Sequence, residues 1–438
     1  MSYLEEIAAN KNDPQQLESV YQAALGRRES GQFAGDLEAC LADEPDNLLL
    51  QAWHYRLLSV PQEPKGREGA SPNWKLAIPL AITNGLILWV LSDPGLTFPK
   101  GIPYLALLAA PIIALFVIWF ASLTIRRDYR RALGLSACLA ALAAAALFLS
   151  RLVTVKSGDD YLVLMIPHLA LLAWASVGAA LMGLSADADN RFAFLIKSLE
   201  TFVVAGVYLI VGMAFGGIMI GMFAALGVNL PVLLIRLIAV GGAGLIPVIA
   251  VATIYDPLAA PADQDFSQGL SKFIGTMMRL LLPLTLGVLG VYILVIPFNF
   301  LEPFKNRDVL IIYNVMLFAI MGLLVGATPV DLAQLSPRLG SALRAGMLGV
   351  ACLATLVSLY ALSAILYRTA TGAITINRLT MTGWNVINIA LLVMLIARLL
   401  LDRPGPWNEH IKAVYSLGAW MYVGWTLFVT LATPFIFR

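Results

Sequence analysis

From Lys75 onward the chain is a succession of apolar runs, each near the ~20 residues a helix needs to cross a bilayer. They cover 75–92, 102–125, 132–150, 161–184, 201–226, 230–254, 279–300, 308–328, 345–367, 381–401 and 413–436. In hydrocarbon, backbone amides must be paired within the segment, so such runs predict helices. Alternating hydrophobicity is absent, which excludes a membrane β-barrel. The expected fold class is all-α, a polytopic transmembrane helical bundle of eleven spans over 75–438. Composition agrees: 13% of residues are charged, where soluble domains carry about a quarter.

The first 60 residues differ, being polar and rich in acids, and predict a small soluble helical bundle. Asp13-Pro14 and Glu44-Pro45 each have an acid ahead of a proline suited to the first helical position. Leu17, Val20, Tyr21 and Ala24 follow the first at helical spacing, and Leu48, Leu49, Ala52, Trp53 and Leu57 follow the second. Phe33, Leu37 and Leu41 predict a middle helix. The run Asp43-Glu44-Pro45-Asp46-Asn47 weakly resembles the inter-repeat turn of tetratricopeptide repeats, but covers too little for the groove such repeats use. Residues 1–60 read first as a generic cytoplasmic cap, with docking of a cytoplasmic partner as the alternative. Residues 61–74, with Pro61, Pro64, Gly66, Gly69 and Pro72, read as a linker.

No secretory signal pattern precedes the spans. Lys and Arg concentrate on the side of the N-terminus, above all in Arg126-Arg127-Asp128-Tyr129-Arg130-Arg131. The positive-inside rule then puts the N-terminus in the cytoplasm and, with an odd span count, the C-terminus outside. The net charge of +2 and the lack of a basic run with interleaved aromatics exclude nucleic acid as a partner. Cys40, Cys138 and Cys352 lie far apart, and no Cys or His spacing suits a metal. No cofactor motif is present. The lipid bilayer is the one partner that composition implies directly.

Candidate functional residues are the polar groups inside the spans. His168 and Arg236 lie about two turns into the fourth and sixth spans, and Asn314 opens the eighth. Tyr360, Ser363 and Tyr367 fall at i, i+3, i+7 near the end of the ninth. Arg378, Thr382, Asn385 and Asn388 recur at helical spacing where the tenth begins. With eleven spans all of them fall in one half of the membrane, the outer half if the N-terminus is inside. A charge at helix centre costs about 2.5–3.5 kcal/mol, so this stripe is expected to meet other helices or water. The expectation is an outer-half polar cavity, with Arg378 and Arg236 as its positive groups. The glycines of the fifth and sixth spans are expected to pack helix against helix. No acidic residue falls deep in a span, which argues against an ion-coupled carrier.

The run Tyr367-Arg368-Thr369-Ala370-Thr371-Gly372-Ala373-Ile374-Thr375-Ile376-Asn377-Arg378-Leu379, followed by Gly383-Trp384-Asn385, resembles the bacterial membrane proteins grouped as domain of unknown function 4153. The likeness covers the fifth to eleventh spans, and the N-terminal bundle departs from it. It implies a bacterial cytoplasmic-membrane protein and draws attention to Arg378 and Asn385 without giving either a role. Three function classes stay open. The protein binds or moves a small polar or anionic solute, or it is an enzyme acting on a lipid-linked or envelope substrate at a headgroup, or it is a membrane-anchored scaffold or sensor. A tunnel would favour the first, a lateral opening at headgroup level the second, and a fully packed bundle the third.

Overall fold

Asp13 and Asn47 begin two helices by the same device. Asp13 Oδ1 accepts the Gln15 and Gln16 amides, and Asn47 Oδ1 accepts those of Leu49 and Leu50, which satisfies donors that a helix leaves free at its start. The computed structural model in which these contacts are seen describes residues 3–26, 30–59, 72–98, 101–153, 155–266, 269–401 and 406–437. It divides into two compact units, Met1–Ser71 and Pro72–Arg438. The stretch expected as a linker lies outside the described residues up to position 71.

The first unit consists of α1 (Leu4–Ala9), α2 (Pro14–Gly26), α3 (Ser30–Asp43) and α4 (Leu48–Ser59). The last begins after Asn47, not at Pro45 as the sequence suggested, because the Asn47 side chain supplies the cap and Pro45 stays in the turn. Tyr21, Phe33 and Trp53 form the core, with ring centroids 5.3–6.0 Å apart. Arg56 lies over the Trp53 ring and pairs with Glu18, whose carboxyl is held below its ordinary range first by that hydrogen bond.

Among its described residues the second unit contains eleven helices long and apolar enough to span a membrane. They are α5 (Trp74–Leu91), α6 (Tyr104–Ile125), α7 (Tyr129–Leu149), α8 (Val155–Met182), α9 (Ala188–Ala225), α10 (Val232–Ile254), α11 (Gly269–Val295), α12 (Arg307–Ala327), α13 (Pro337–Ala370), α14 (Ile376–Leu400) and α15 (Trp407–Leu431). Among the described residues there is no strand, only an isolated bridge between Thr97 and Pro103. The all-α bundle is therefore what the chain forms.

Three helices start eight or more residues earlier than hydropathy indicated: α9 at 188 instead of 201, α11 at 269 instead of 279, α13 at 337 instead of 345. Local caps set two of these starts, since Asp187 accepts the Asn190 amide and Ser336 that of Leu339. The added turns carry Arg191, Lys197, Glu200 and Ser271, which no hydropathy threshold would include.

α13 and α14 pack along the hairpin, burying Val350, Ala354, Ala361 and Ile365 with Leu391, Leu392 and Leu395. α5 and α10 approach more closely than side chains would allow. A Cβ on Gly85 would stand 2.6 Å from Gly241 O, and one on Gly244 would stand 2.8 Å from Gly85 Cα. Asn84 Nδ2 donates to Gly244 O at 2.6 Å in the same seam. The hydrogen-bond register of α10 loosens to a π-turn over Leu237–Gly241, a local irregularity frequent where helices bend around a neighbour.

The glycines of α9 behave differently from expectation. Gly212, Gly217 and Gly221 meet no other part of the chain within 4 Å, and only Gly216 has a neighbour, Ile238. Their helix runs past the bundle with its second half exposed, so Gly212, Gly217 and Gly221 do not pack helix on helix among the described residues.

Gly244→Val should therefore lower stability by about 1–3 kcal/mol, the usual cost of forcing volume into a packed contact, whereas Gly217→Val should change it little. Denaturant or thermal unfolding of the purified protein in detergent measures both; equal effects would contradict the α5–α10 seam.

Candidate functional site at one end of the membrane unit

α8, α12, α14 and α15 converge where hydrocarbon would leave a polar side chain without a partner, and their polar residues find one another. Asn385 Nδ2 donates to Asn314 Oδ1 at 2.8 Å, and Asn314 Nδ2 donates to Leu310 O one turn back. The Tyr422 hydroxyl donates to Asn388 Oδ1 at 2.6 Å. Trp384 Nε1 donates to His168 Nε2 at 3.3 Å, while His168 Nδ1 is 2.6 Å from Leu164 O. The ring is therefore a neutral tautomer, its proton on Nδ1. Phe318 and Tyr422 close around Trp384, with centroids 5.1 and 5.4 Å away.

Asn385 and Asn388 are 0% exposed, and His168 and Asn314 are 2% and 5%. The two α14 amides are shut in by neighbouring helices at these residues. Their polar groups are turned into contacts between helices. The closure is incomplete in one respect: Asn385 Oδ1 and Asn388 Nδ2, three residues apart on one face of α14, have no hydrogen-bond partner.

The rest of the expected stripe lies elsewhere. Tyr360, Ser363 and Tyr367 stand on a face of α13 that turns outward. The Tyr360 hydroxyl donates to Phe300 O at 2.6 Å, and Ser363 Oγ donates to Tyr360 O. Phe300 and Phe304 pack at a tilt beside Tyr360, Phe304 meets Tyr367 edge-on, and Tyr313 approaches Tyr360 from α12. Tyr292 donates to Tyr313 behind them.

Thr382 Oγ1 donates to Arg378 O. Arg378 itself folds back to donate to Ala373 O at 2.7 Å, and lies where a Cβ on Gly372 would be. It closes the α13–α14 turn and does not enter the asparagine seam. Arg236 is separate again. It donates to Ser92 Oγ, Asp93 Oδ2 and Trp89 O, each at 3.1 Å, at the end of α5. The Gly95 amide, and after it Arg236, hold the Asp93 carboxyl below its ordinary range. The pair is thus intact above the usual carboxylate pKa and is lost as pH falls through the lowered one.

A shallow lateral groove runs between α11 and α13, lined by Ile293, Ile296, Pro297, Phe300, Leu356 and Tyr360. Its rim leads to three cations. Lys305 follows Phe304, Arg368 Nη1 reaches Lys305 O at 3.5 Å, and Arg378 packs by the Arg368 carbonyl at Gly372. Glu302 is the carboxylate one turn from Lys305.

At the opposite end of the bundle is a cluster that hydropathy missed. Lys197 Nζ donates to Glu200 Oε2 and Asp265 O, both at 2.8 Å, and to Ser271 Oγ at 2.9 Å; Ser271 donates to Glu200 at 2.7 Å. Lys197 and Glu200 are 4% and 3% exposed, and every ammonium hydrogen has an acceptor. The i, i+3 spacing of Lys197 and Glu200 was the only sequence signal. Among the described residues no group of His, Cys, Asp and Glu could hold a metal. Compared with protein-family models, curated proteins and solved structures, the chain matches none.

Tyr422→Phe should cost about 0.6 to 1.7 kcal/mol, the range of interhelical hydrogen bonds in membranes, because it leaves Asn388 with no partner for either amide atom. The Tyr422→Phe, Asn388→Leu pair should recover most of that loss. Additive effects in a double-mutant cycle of unfolding would show the two residues uncoupled.

Proposed function

We propose that this integral membrane protein receives a lipid or lipid-linked molecule through the groove between α11 and α13. The observation that carries the reading is the pairing of an apolar, aromatic-walled groove open to the side with a rim of Lys305, Arg368 and Arg378. Tyr360 lies eight residues before Arg368, about 12 Å along the helix at 1.5 Å per residue. That separation suits an acyl or polyprenyl chain in the groove with a phosphate at the rim. Guanidinium and ammonium groups are the side chains best matched to phosphate oxygens. Supporting the same end as the outer leaflet is the charge bias of the connections, which favours a cytoplasmic N-terminus. The run from Tyr367 to Leu379 with Gly383-Trp384-Asn385 supports a place among the bacterial cytoplasmic-membrane proteins of domain of unknown function 4153.

A second reading, passage of a small polar solute through the asparagine seam, is favoured by the unpartnered Asn385 Oδ1 and Asn388 Nδ2. It requires the seam to open, and it suits a neutral solute better than an anion because Arg378 and Arg236 are engaged elsewhere.

Leu356→Trp fills the groove from an exposed position, and should reduce labelling of the full chain by a diazirine-bearing phospholipid several-fold. Lys305→Gln with Arg368→Gln should reduce labelling by an acidic phospholipid but not by a neutral diacylglycerol probe. Labelling of Leu356→Trp at the wild-type level would remove the reading.

A further inference from the structure

Arg279 is a charge in an apolar setting for which the described residues provide no ion pair. It stands in α11 where an uncharged run of helix, 280–298, begins. That run is close to the ~20 residues that fill the hydrocarbon layer. Residues 269–278 thus extend the helix beyond the hydrocarbon, and Arg279 marks the boundary. Side chains of a helix tilt toward its N-terminus, which carries the guanidinium out to the depth of lipid phosphates.

Neighbours on the same face are polar and exposed. Lys272, Thr276 and Arg279 recur at i, i+4, i+7, with Thr276 and Lys272 exposed and Arg279 half-buried. One and two turns beyond Arg279, Leu282 and Leu286 lie against Gly346 and Gly349 of α13, so the arginine borders the seam between the two helices. Its Nε is buried there without a hydrogen-bond partner. Among the described residues it forms no ion pair, whereas Lys197, Arg236 and Lys412 each pair with a carboxylate.

We propose that Lys272 and Arg279 form a binding site for the phosphate of an acidic phospholipid, at the end of α11 opposite the lateral groove. The arginine donates to the phosphate oxygens from the seam, the lysine caps the headgroup from outside, and the acyl chains lie along the exposed Leu280 and Leu284. Ile293 is fourteen residues further along the helix, about 21 Å away, so this site and the groove hold different lipids. A net negative headgroup is selected because two cations face it and no carboxylate on that face offsets them.

The test uses the delipidated full-length protein in detergent, titrated with phosphatidylglycerol, phosphatidylcholine or inorganic phosphate, with bound lipids counted by native mass spectrometry. Wild type should retain one phosphatidylglycerol more than Arg279→Gln, and Lys272→Gln should bind that lipid on the order of tenfold more weakly, as expected for loss of one charge-assisted hydrogen bond. Arg279→Lys should restore part of the binding, and the one-lipid difference made by Arg279→Gln should persist in the Leu356→Trp background, which separates this site from the groove. Equal retention by wild type, Arg279→Gln and Lys272→Gln would overturn the proposal. So would equal binding of phosphatidylcholine, or displacement of the lipid by millimolar inorganic phosphate.

Discussion

A polar side chain surrounded by hydrocarbon has no water to fall back on, so its partner must come from another helix or from its own backbone. That requirement organises the membrane unit. Asn385 ties α14 to α12, Tyr422 ties α15 to α14, and Trp384 ties α14 to α8. Asn84 does the same for α5 and α10, by way of a backbone carbonyl. Each bond is worth little, around 0.6 kcal/mol on average. Their collective effect is directional, because apolar packing in lipid hardly distinguishes one helix face from another, whereas an amide accepts few rotations.

The two ends of the unit solve the problem with different chemistry. At the end holding the starts of α9, α11 and α15, the buried lysines are kept charged and paired. Lys197 is held by Glu200, Ser271 and the Asp265 carbonyl, and Lys412 lies 3.7 Å from Asp189 and 2.5 Å from Glu409. At the other end the buried groups are neutral amides, phenols and an imidazole, and the cations stay at the rim. Burying an ion pair costs desolvation that only well-placed hydrogen bonds offset. The Lys197 cluster meets that condition because the loop leading into α11 supplies a carbonyl and the helix's first turn a hydroxyl.

Much of this was legible in the chain. Length and hydropathy of the apolar runs identify all eleven spanning helices, because the bilayer imposes a fixed length on them. Where α9, α11 and α13 begin was not legible, since their first turns are set by Asp187, Ser336 and buried polar contacts, not by apolarity. The polar stripe was found as residues but not as an arrangement. Helical spacing places Tyr360, Ser363 and Tyr367 on one face of α13, and Thr382, Asn385 and Asn388 toward one side of α14. It does not say that the first face turns outward and the second inward. Arg378 illustrates the same limit: its position beside Asn385 in sequence suggested a shared cavity, and the Gly372 turn draws it back to a carbonyl instead.

That redistribution of charge bears on the chemistry open to each part. An anion brought into the asparagine seam would meet Asn388 Nδ2 and groups already committed to partners, with Arg378 and Arg236 bound elsewhere. In a medium of low dielectric such a guest is strongly disfavoured. A neutral guest faces no such barrier, and Asn385 Oδ1 with Asn388 Nδ2 offers it one acceptor and one donor on a single helix face. Anionic chemistry is compatible instead with Lys305, Arg368 and Arg378 at one rim, and with Lys272 and Arg279 at the other, where the charge need not leave the interface. Cationic rims and an asparagine seam without charge are thus consequences of one cost, the transfer of charge into hydrocarbon.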